Sequence, residues 1–597
     1  MPSSVTTRSY TNARTGANIH ETVLTPSLVG TRGIKRLFTL KLDDARGTEG
    51  APLIVAGAGP FADGSVHDAV YIGTMNNSVW AFDAHTGAKL WPAPVALGPP
   101  VKNIPRGMPK AGNIDSKFIN DNWGIVSTPV IDTESKTLYA ISWSSAAHTA
   151  EQSLLQSVHH LHALDITNGH PRHPAIKLDG IIDHDSGLRF ISPAQKQRAA
   201  LLLAGVKDSG GNVHKTLFMA CGSVAETSKH AHGWVLAFDL DKFALTATFV
   251  TTRGTHGAGI WHAAQGPCAD NDGNIYCMTG NGGWDGTKDF AESFIRLRYK
   301  PAEGNQKATL EITDWFTPFL DNSIKGPHPH ATLAQGRNPE TTNNRGYDWT
   351  DQDLGSGGPV LLEDLGLIVG AGKDGILYVL DKNNFGKTQL SDLEEPAKNY
   401  AKLKAPPTFF TFNGVGIDPA PDDPRTLNHY FLDNKTHHLH GSPIYWNSPR
   451  HGHVLFCWGE NESLRAWKIA PNGVATFLAK GAEIASFGVN GPDGHGGMPG
   501  GMLSVSSNGS APATGVVWTL APRNGDANSQ VAAGVLRAYD AEDFVTNPDG
   551  SLSFRLLWHS DQWNINFSHN KFNVPVVANG KIYVPTYEGT VDVYGLA

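Results

Sequence analysis

Among the residues able to do chemistry, His-x-His pairs stand out first, among them His230/His232, His328/His330, His438/His440 and His451/His453. Residues i and i+2 of a strand share one face, so each pair offers two imidazoles to a common ion of the zinc type. No carboxylate stands out in support of any pair. The four cysteines, Cys221, Cys268, Cys277 and Cys457, are scattered, with neither a CxxC nor a CxxCH spacing. Disulfides, zinc ribbons and covalent haem are therefore not indicated, and buried thiols are the expectation.

The elements that would have to position such residues repeat along the chain. "SVWAFDAHTGAKLW" begins at Ser78, and weaker versions follow as "HLHALDITNGH" from His160, "GWVLAFDLDKF" from Gly233 and "GILYVLDKNNFG" from Gly375. "SLRAWKIAPNG" from Ser463 and "GVLRAYDAEDF" from Gly534 continue the series. In most copies an alternating apolar stretch runs into Asp and then into turn formers. Alternation with a period of two is a half-buried strand, and the Asp/Asn/Gly tail is a tight turn. With the strands before and after it, each copy makes a unit of four short strands at a spacing of roughly 50–75 residues, the mark of a β-propeller. Eight units are present.

The last unit, "KIYVPTYEGTVDVYGLA", stops after its third strand, whereas "IKRLFTLKL" (Ile34–Leu42) has no partner before the first. Pairing the two closes the ring and leaves no open edge. The expected organisation is an N-terminal extension over 1–33 and one propeller domain over 34–597. Two stretches, at about 300–347 and 386–439, are too long for blade turns and are expected to act as lids.

Composition narrows the function classes. The 597 residues carry a net charge of −8 and have 65 Gly and 37 Pro with 17% charged residues, which suits an all-β chain and leaves no basic footprint for nucleic acid. The longest apolar runs, such as "AALLLAGV" from Ala199, are too short to span a bilayer. The N-terminus has no apolar signal core. The expectation is a cytoplasmic protein, or a periplasmic or secreted one if a leader was removed.

The phrase AxDxxTGxxxW resembles the blade motif of the quinoprotein alcohol dehydrogenases, eight-bladed propellers that use pyrroloquinoline quinone (PQQ). Segments between the repeats are similar too. "RGTEGAPLIV" implies Glu49 at the quinone, and "ACGSVAETSKHAHGWVLAFD" implies Glu226 as a metal ligand. "GIWHAAQG" puts Trp261 where the family stacks an indole under the quinone, and "MTGNGGWD" gives Asn281 the position of the amide ligand. "YDWTDQDLGSGGPVLL" gives Asp351 the place of a metal ligand and catalytic base. Asp353 stands where lanthanide-using members carry a second Asp. "GKDGILYVLDK" supplies Lys373 over the quinone oxygens, where it would assist catalysis, and Arg198 lies close to the third-blade cofactor position.

The resemblance thus implies PQQ with calcium or a lanthanide ion, and a small alcohol or sugar as substrate, with the electron acceptor unspecified. Oxygen donors suit a hard cation, and a carboxylate suits removal of a hydroxyl proton. This chain departs from the family in the second blade, where "NIDSKFINDNWGIVSTPVID" contains no cysteine and the family has an adjacent pair. Two other readings stay open. One is a non-redox enzyme (hydrolase, isomerase or lyase) using the same acidic cavity. The other is a non-catalytic scaffold or carbohydrate-binding propeller.

Overall fold

The structure is a computed structural model. It describes residues 2–43, 46–103, 119–224, 228–263, 265–317, 353–373, 376–386, 408–411, 438–460, 462–486 and 498–597. Eight largely antiparallel sheets follow one another as blades of a propeller, with a small two-strand ribbon (Val101–Lys102 with Asn122–Trp123) beside the second. Blade one shows the pattern: Leu53–Ala58, His67–Gly73 and Ser78–Asp83 from the axis outward, then Val95–Ala96. The third strand "SVWAFD" is buried along its whole length, because both of its faces meet neighbouring blades.

The aspartate that ends this strand builds the turn that follows. Asp83 Oδ1 accepts from the backbone N–H groups of His85 (2.9 Å) and Thr86 (2.7 Å) and from the Thr86 hydroxyl (2.8 Å). Asp165, Asp239, Asp381 and Asp540 accept in the same way from N–H groups two or three residues on. The repeated Asp is thus an Asx turn, the local reason for its spacing. The apolar cores lie between blades: one joins Leu53, Tyr71 and Trp91 of blade one to Ile131, Leu138 and Leu164 of blade two.

The ring closes as expected. Ile34–Lys41 pairs antiparallel with Thr590–Leu596 as the outer strand of the last blade, reinforced by Arg36–Asp592 at 2.9 Å. Each stretch set aside as a long loop contains an outer strand. Thr309–Phe316 covers Phe294–Lys300, and Thr408–Thr411 covers Ile376–Asp381. Both blades need that fourth strand; residues 318–352, 387–407 and 412–437 lie outside the described residues.

The segment before Ile34 is woven into the ring. Carbonyl oxygens of Val5, Thr6, Asn12, Ala13, Thr15 and Gly16 accept from Ile54, Ile131, Ala269, Leu361, Tyr445 and Val505, on the innermost strands of blades one, two, four, five, six and seven. The Asn12 amide donates to Leu203 O of blade three (2.7 Å), and the Tyr10 hydroxyl accepts from Val577 N of blade eight (2.9 Å). Residues 5–16 therefore circle the inner edge and bond to every blade. Arg14 is fully buried at the centre, donating to Pro267 O, Thr7 Oγ1, Arg8 O and Leu201 O. Among the described residues, no helix is long and apolar enough to cross a membrane.

Candidate functional site

A few residues upstream of the positions bonded by this N-terminal segment, the chain leading into each innermost strand carries the polar side chains. Glu49 precedes Leu53–Ala58 and is buried. One carboxylate oxygen lies 2.9 Å from Arg198 Nη1 of blade three, and the other lies 3.6 Å from Lys571 Nζ of blade eight. All three side chains are at most 5% exposed. The Arg198 guanidinium lies 4.5 Å from the ring centroid of Phe572, and Lys571 also donates to Asn528 Oδ1 at 2.7 Å. Two aromatic rings and a second acceptor thus help satisfy cations that burial would otherwise penalise. The turn carrying Glu49 is held by Asn570 and Asn573, whose amides both donate to Thr48 O.

Trp123 continues the cluster. Lys196 Nζ stands 3.8 Å from its ring centroid and Lys571 Nζ 5.6 Å. Lys196 pairs in the sheet with Gly222, and Trp261 lies against that glycine. A Cβ on Gly222 would come within 2.8 Å of the indole, so no larger residue fits beneath the ring. Trp261 is half-buried and sits in the turn leading to Cys268–Ala269, not on a strand as its alternating neighbours suggest.

The second group lies on blades four and five and is joined to Trp261 through the backbone bond from Gly280 N to Gly259 O (2.9 Å). Asp353 Oδ1 accepts from Asn281 N (3.0 Å), and Asp353 Oδ2 lies 2.6 Å from Lys373 Nζ. A Cβ on Gly280 would collide with Asp353 Oδ1, so glycine is required for this approach. The neighbouring Glu292 takes Leu354 N at 2.7 Å and fixes the turn after Asp353. Lys373 is held by Asp353 both through its ammonium and through its backbone N–H, which donates to Asp353 O at 3.0 Å.

Of the residues chosen from sequence, Glu49 and Arg198 are in contact, as are Asn281, Asp353 and Lys373, with Trp261 between the two groups. Glu226 and Asp351 lie outside the described residues. Lys373 was expected over quinone oxygens and Asp353 as a ligand; here each is the other's ion-pair partner. Sequence reasoning missed Lys196, Lys571 and Phe572. "HNKFNVPV" held the signal for the last two, because it occupies the same place before its strand as the segment of Glu49 does.

For PQQ, a planar quinone bearing carboxylates, the donor set fits. Lys196 and Lys571 supply buried positive charge over Trp123 and Arg198 over Phe572, and Trp261 offers a half-buried aromatic face on a glycine floor. For a hard cation, Asn281 and Asp353 are oxygen donors of the right kind, with the Lys373 ammonium as competitor for one of them.

No protein-family model matches the sequence, and no curated protein matches it. Solved structures do match the fold. The quinohemoprotein alcohol dehydrogenase from Comamonas testosteroni is similar over 99% of this chain and 80% of its own, with 12% identity and a TM-score of 0.51. The quinohemoprotein alcohol dehydrogenase ADHIIG from Pseudomonas putida HK5 covers the same shares at 13% identity and a TM-score of 0.48. A europium-containing methanol dehydrogenase matches over 98% of this chain and 82% of its own, at 14% identity and a TM-score of 0.44. At such identities the likeness to the Comamonas enzyme is one of architecture: this chain is an eight-bladed propeller of the quinoprotein dehydrogenase type.

Proposed function

We propose that the chain is a quinoprotein-type dehydrogenase that oxidises the hydroxyl of a small alcohol or sugar, with PQQ and a calcium or lanthanide ion as cofactors. The observation that carries this reading is the gathering of Lys196, Arg198 and Lys571 with Trp123 and Trp261 at the mouth of the innermost strands. When bound, PQQ supplies the hydride-accepting carbonyl, a chemistry no side chain possesses. Arg198, Lys196 and Lys571 bind its carboxylates, and Trp261 faces the ring plane. Glu49 keeps Arg198 and Lys571 in place. Glu226, Asn281, Asp351 and Asp353 hold the cation, with Asp351 as the base that takes the hydroxyl proton.

The test is addition of PQQ with calcium, or with a light lanthanide, to the purified protein. Dye-linked oxidation of alcohols, quenching of tryptophan fluorescence and a raised melting temperature are expected together. If PQQ changes neither the fluorescence nor the melting curve, the proposal fails. One observation favours a second reading, a non-redox enzyme. Lys373 already neutralises Asp353 at 2.6 Å, so this carboxylate has a counter-charge without a metal. Identical melting curves with chelator, calcium and lanthanide would support it.

A further inference from the structure

On blade six, opposite faces of one short segment do different work. Leu439 is buried in the apolar core shared with Val360 and Leu455, so its neighbours His438 and His440 turn to the other side. There they meet Glu460, which reaches the same place from the next strand connection. One ligand atom from each of His438, His440 and Glu460 lies within 4.8 Å of the others, and all three residues are buried. His440 Nε2 stands 3.0 Å from Glu460 Oε1. The edge of a tetrahedral zinc site with ordinary Zn–N and Zn–O bonds is about 3.3 Å, so a slight spreading of this pair would admit an ion.

The backbone around the three is fixed before any ion arrives. Glu460 N donates to His438 O at 2.9 Å, Leu439 N donates to Gly372 O at 3.1 Å, and the Ser356 hydroxyl donates to Leu439 O at 2.7 Å. The Phe572 ring lies 6.0 Å from the His440 ring and so separates this cluster from Arg198, whose guanidinium it also carries. Two imidazoles and one carboxylate select a borderline transition ion over calcium or magnesium, which prefer oxygen shells. Three protein ligands also leave a fourth position for water or an oxygen anion.

We infer that His438, His440 and Glu460 form a binding site for one divalent ion of the zinc class, distinct from the hard-cation site on blades four and five. The full-length protein, stripped with chelator and dialysed, would be titrated with zinc alone and, separately, with cobalt(II) alone. One equivalent of zinc should bind in the presence of excess calcium. Cobalt should develop the visible absorption of a four-coordinate site, a readout that needs no variant. His440→Gln and Glu460→Gln should each weaken zinc binding by more than about 100-fold, beyond the 10–100-fold usual for residues that merely orient a ligand. His451→Gln, at another His-x-His pair, should leave it unchanged. Absence of stoichiometric zinc and of the cobalt spectrum in the unaltered protein would show an imidazole–carboxylate hydrogen bond and nothing more, and would overturn the site. Unchanged zinc affinity in both ligand variants would overturn it equally.

Discussion

Single residues here are coupled by charge across distant parts of the chain. Glu49 faces two buried cations, so Glu49→Gln should lower unfolding free energy by about 3–5 kcal/mol in urea titrations, because it removes the carboxylate that Arg198 and Lys571 share. Arg198→Met should cost less, since Lys571 still answers the carboxylate. Buried histidines give a pH signature. Burial pushes His159, His262 and His569 down to about 3. Their folded pKa lies below the unfolded value near 6.5, so the unfolded chain binds more protons between pH 6.5 and 3. The stability they confer is complete above 6.5 and drains away as pH falls toward 3, by about 1.4 kcal/mol per pH unit for each. Urea midpoints at pH 7 and pH 5 should differ accordingly, and equal midpoints would refute the assignment. Little of this pairing was legible in sequence. Glu49 and Lys571 sit near opposite ends of the chain and meet only because the ring closes. Glu460 supports His438 and His440 from the far side of a hairpin, where no fixed spacing marks it.

At the scale of the element, the repeat was legible because each copy solves the same local problem. The third strand of a blade must turn sharply outward, and Asp83 does this by taking two backbone N–H groups and one hydroxyl. Asp83→Ala should therefore cost about 2 kcal/mol, and Asp83→Asn, which keeps an acceptor, distinctly less; thermal melting of the two variants checks the order. Outer strands were read less well. Thr309–Phe316 and Thr408–Thr411 fell inside stretches taken for lids. The turn bearing Trp261 erred in the other direction: "GIWHAAQG" alternates like a strand, yet the strand proper is only Cys268–Ala269.

The whole molecule is closed twice, once by Ile34–Lys41 at the rim and once by residues 5–16 at the axis. Patterning revealed the first closure, because an orphan strand and a three-strand blade are both visible in sequence. It could not reveal the second, in which backbone carbonyls do the bonding and side-chain identity hardly matters. Removing residues 1–42 should expose a sheet edge and lower the melting temperature. Removing only residues 2–18 should keep the rim closed by Ile34–Lys41 but still lower it clearly, because innermost-strand N–H groups of six blades lose their acceptors. An unchanged melting curve for the shorter deletion would refute a structural role for the segment. The axial segment also sets an order of events during synthesis. Residues 5–16 leave the ribosome ahead of every strand they bond, and Val577, the partner of Tyr10, follows 567 residues later. The early blades therefore stand with an incomplete hub until blade eight is made, and only then does Tyr10 find its partner.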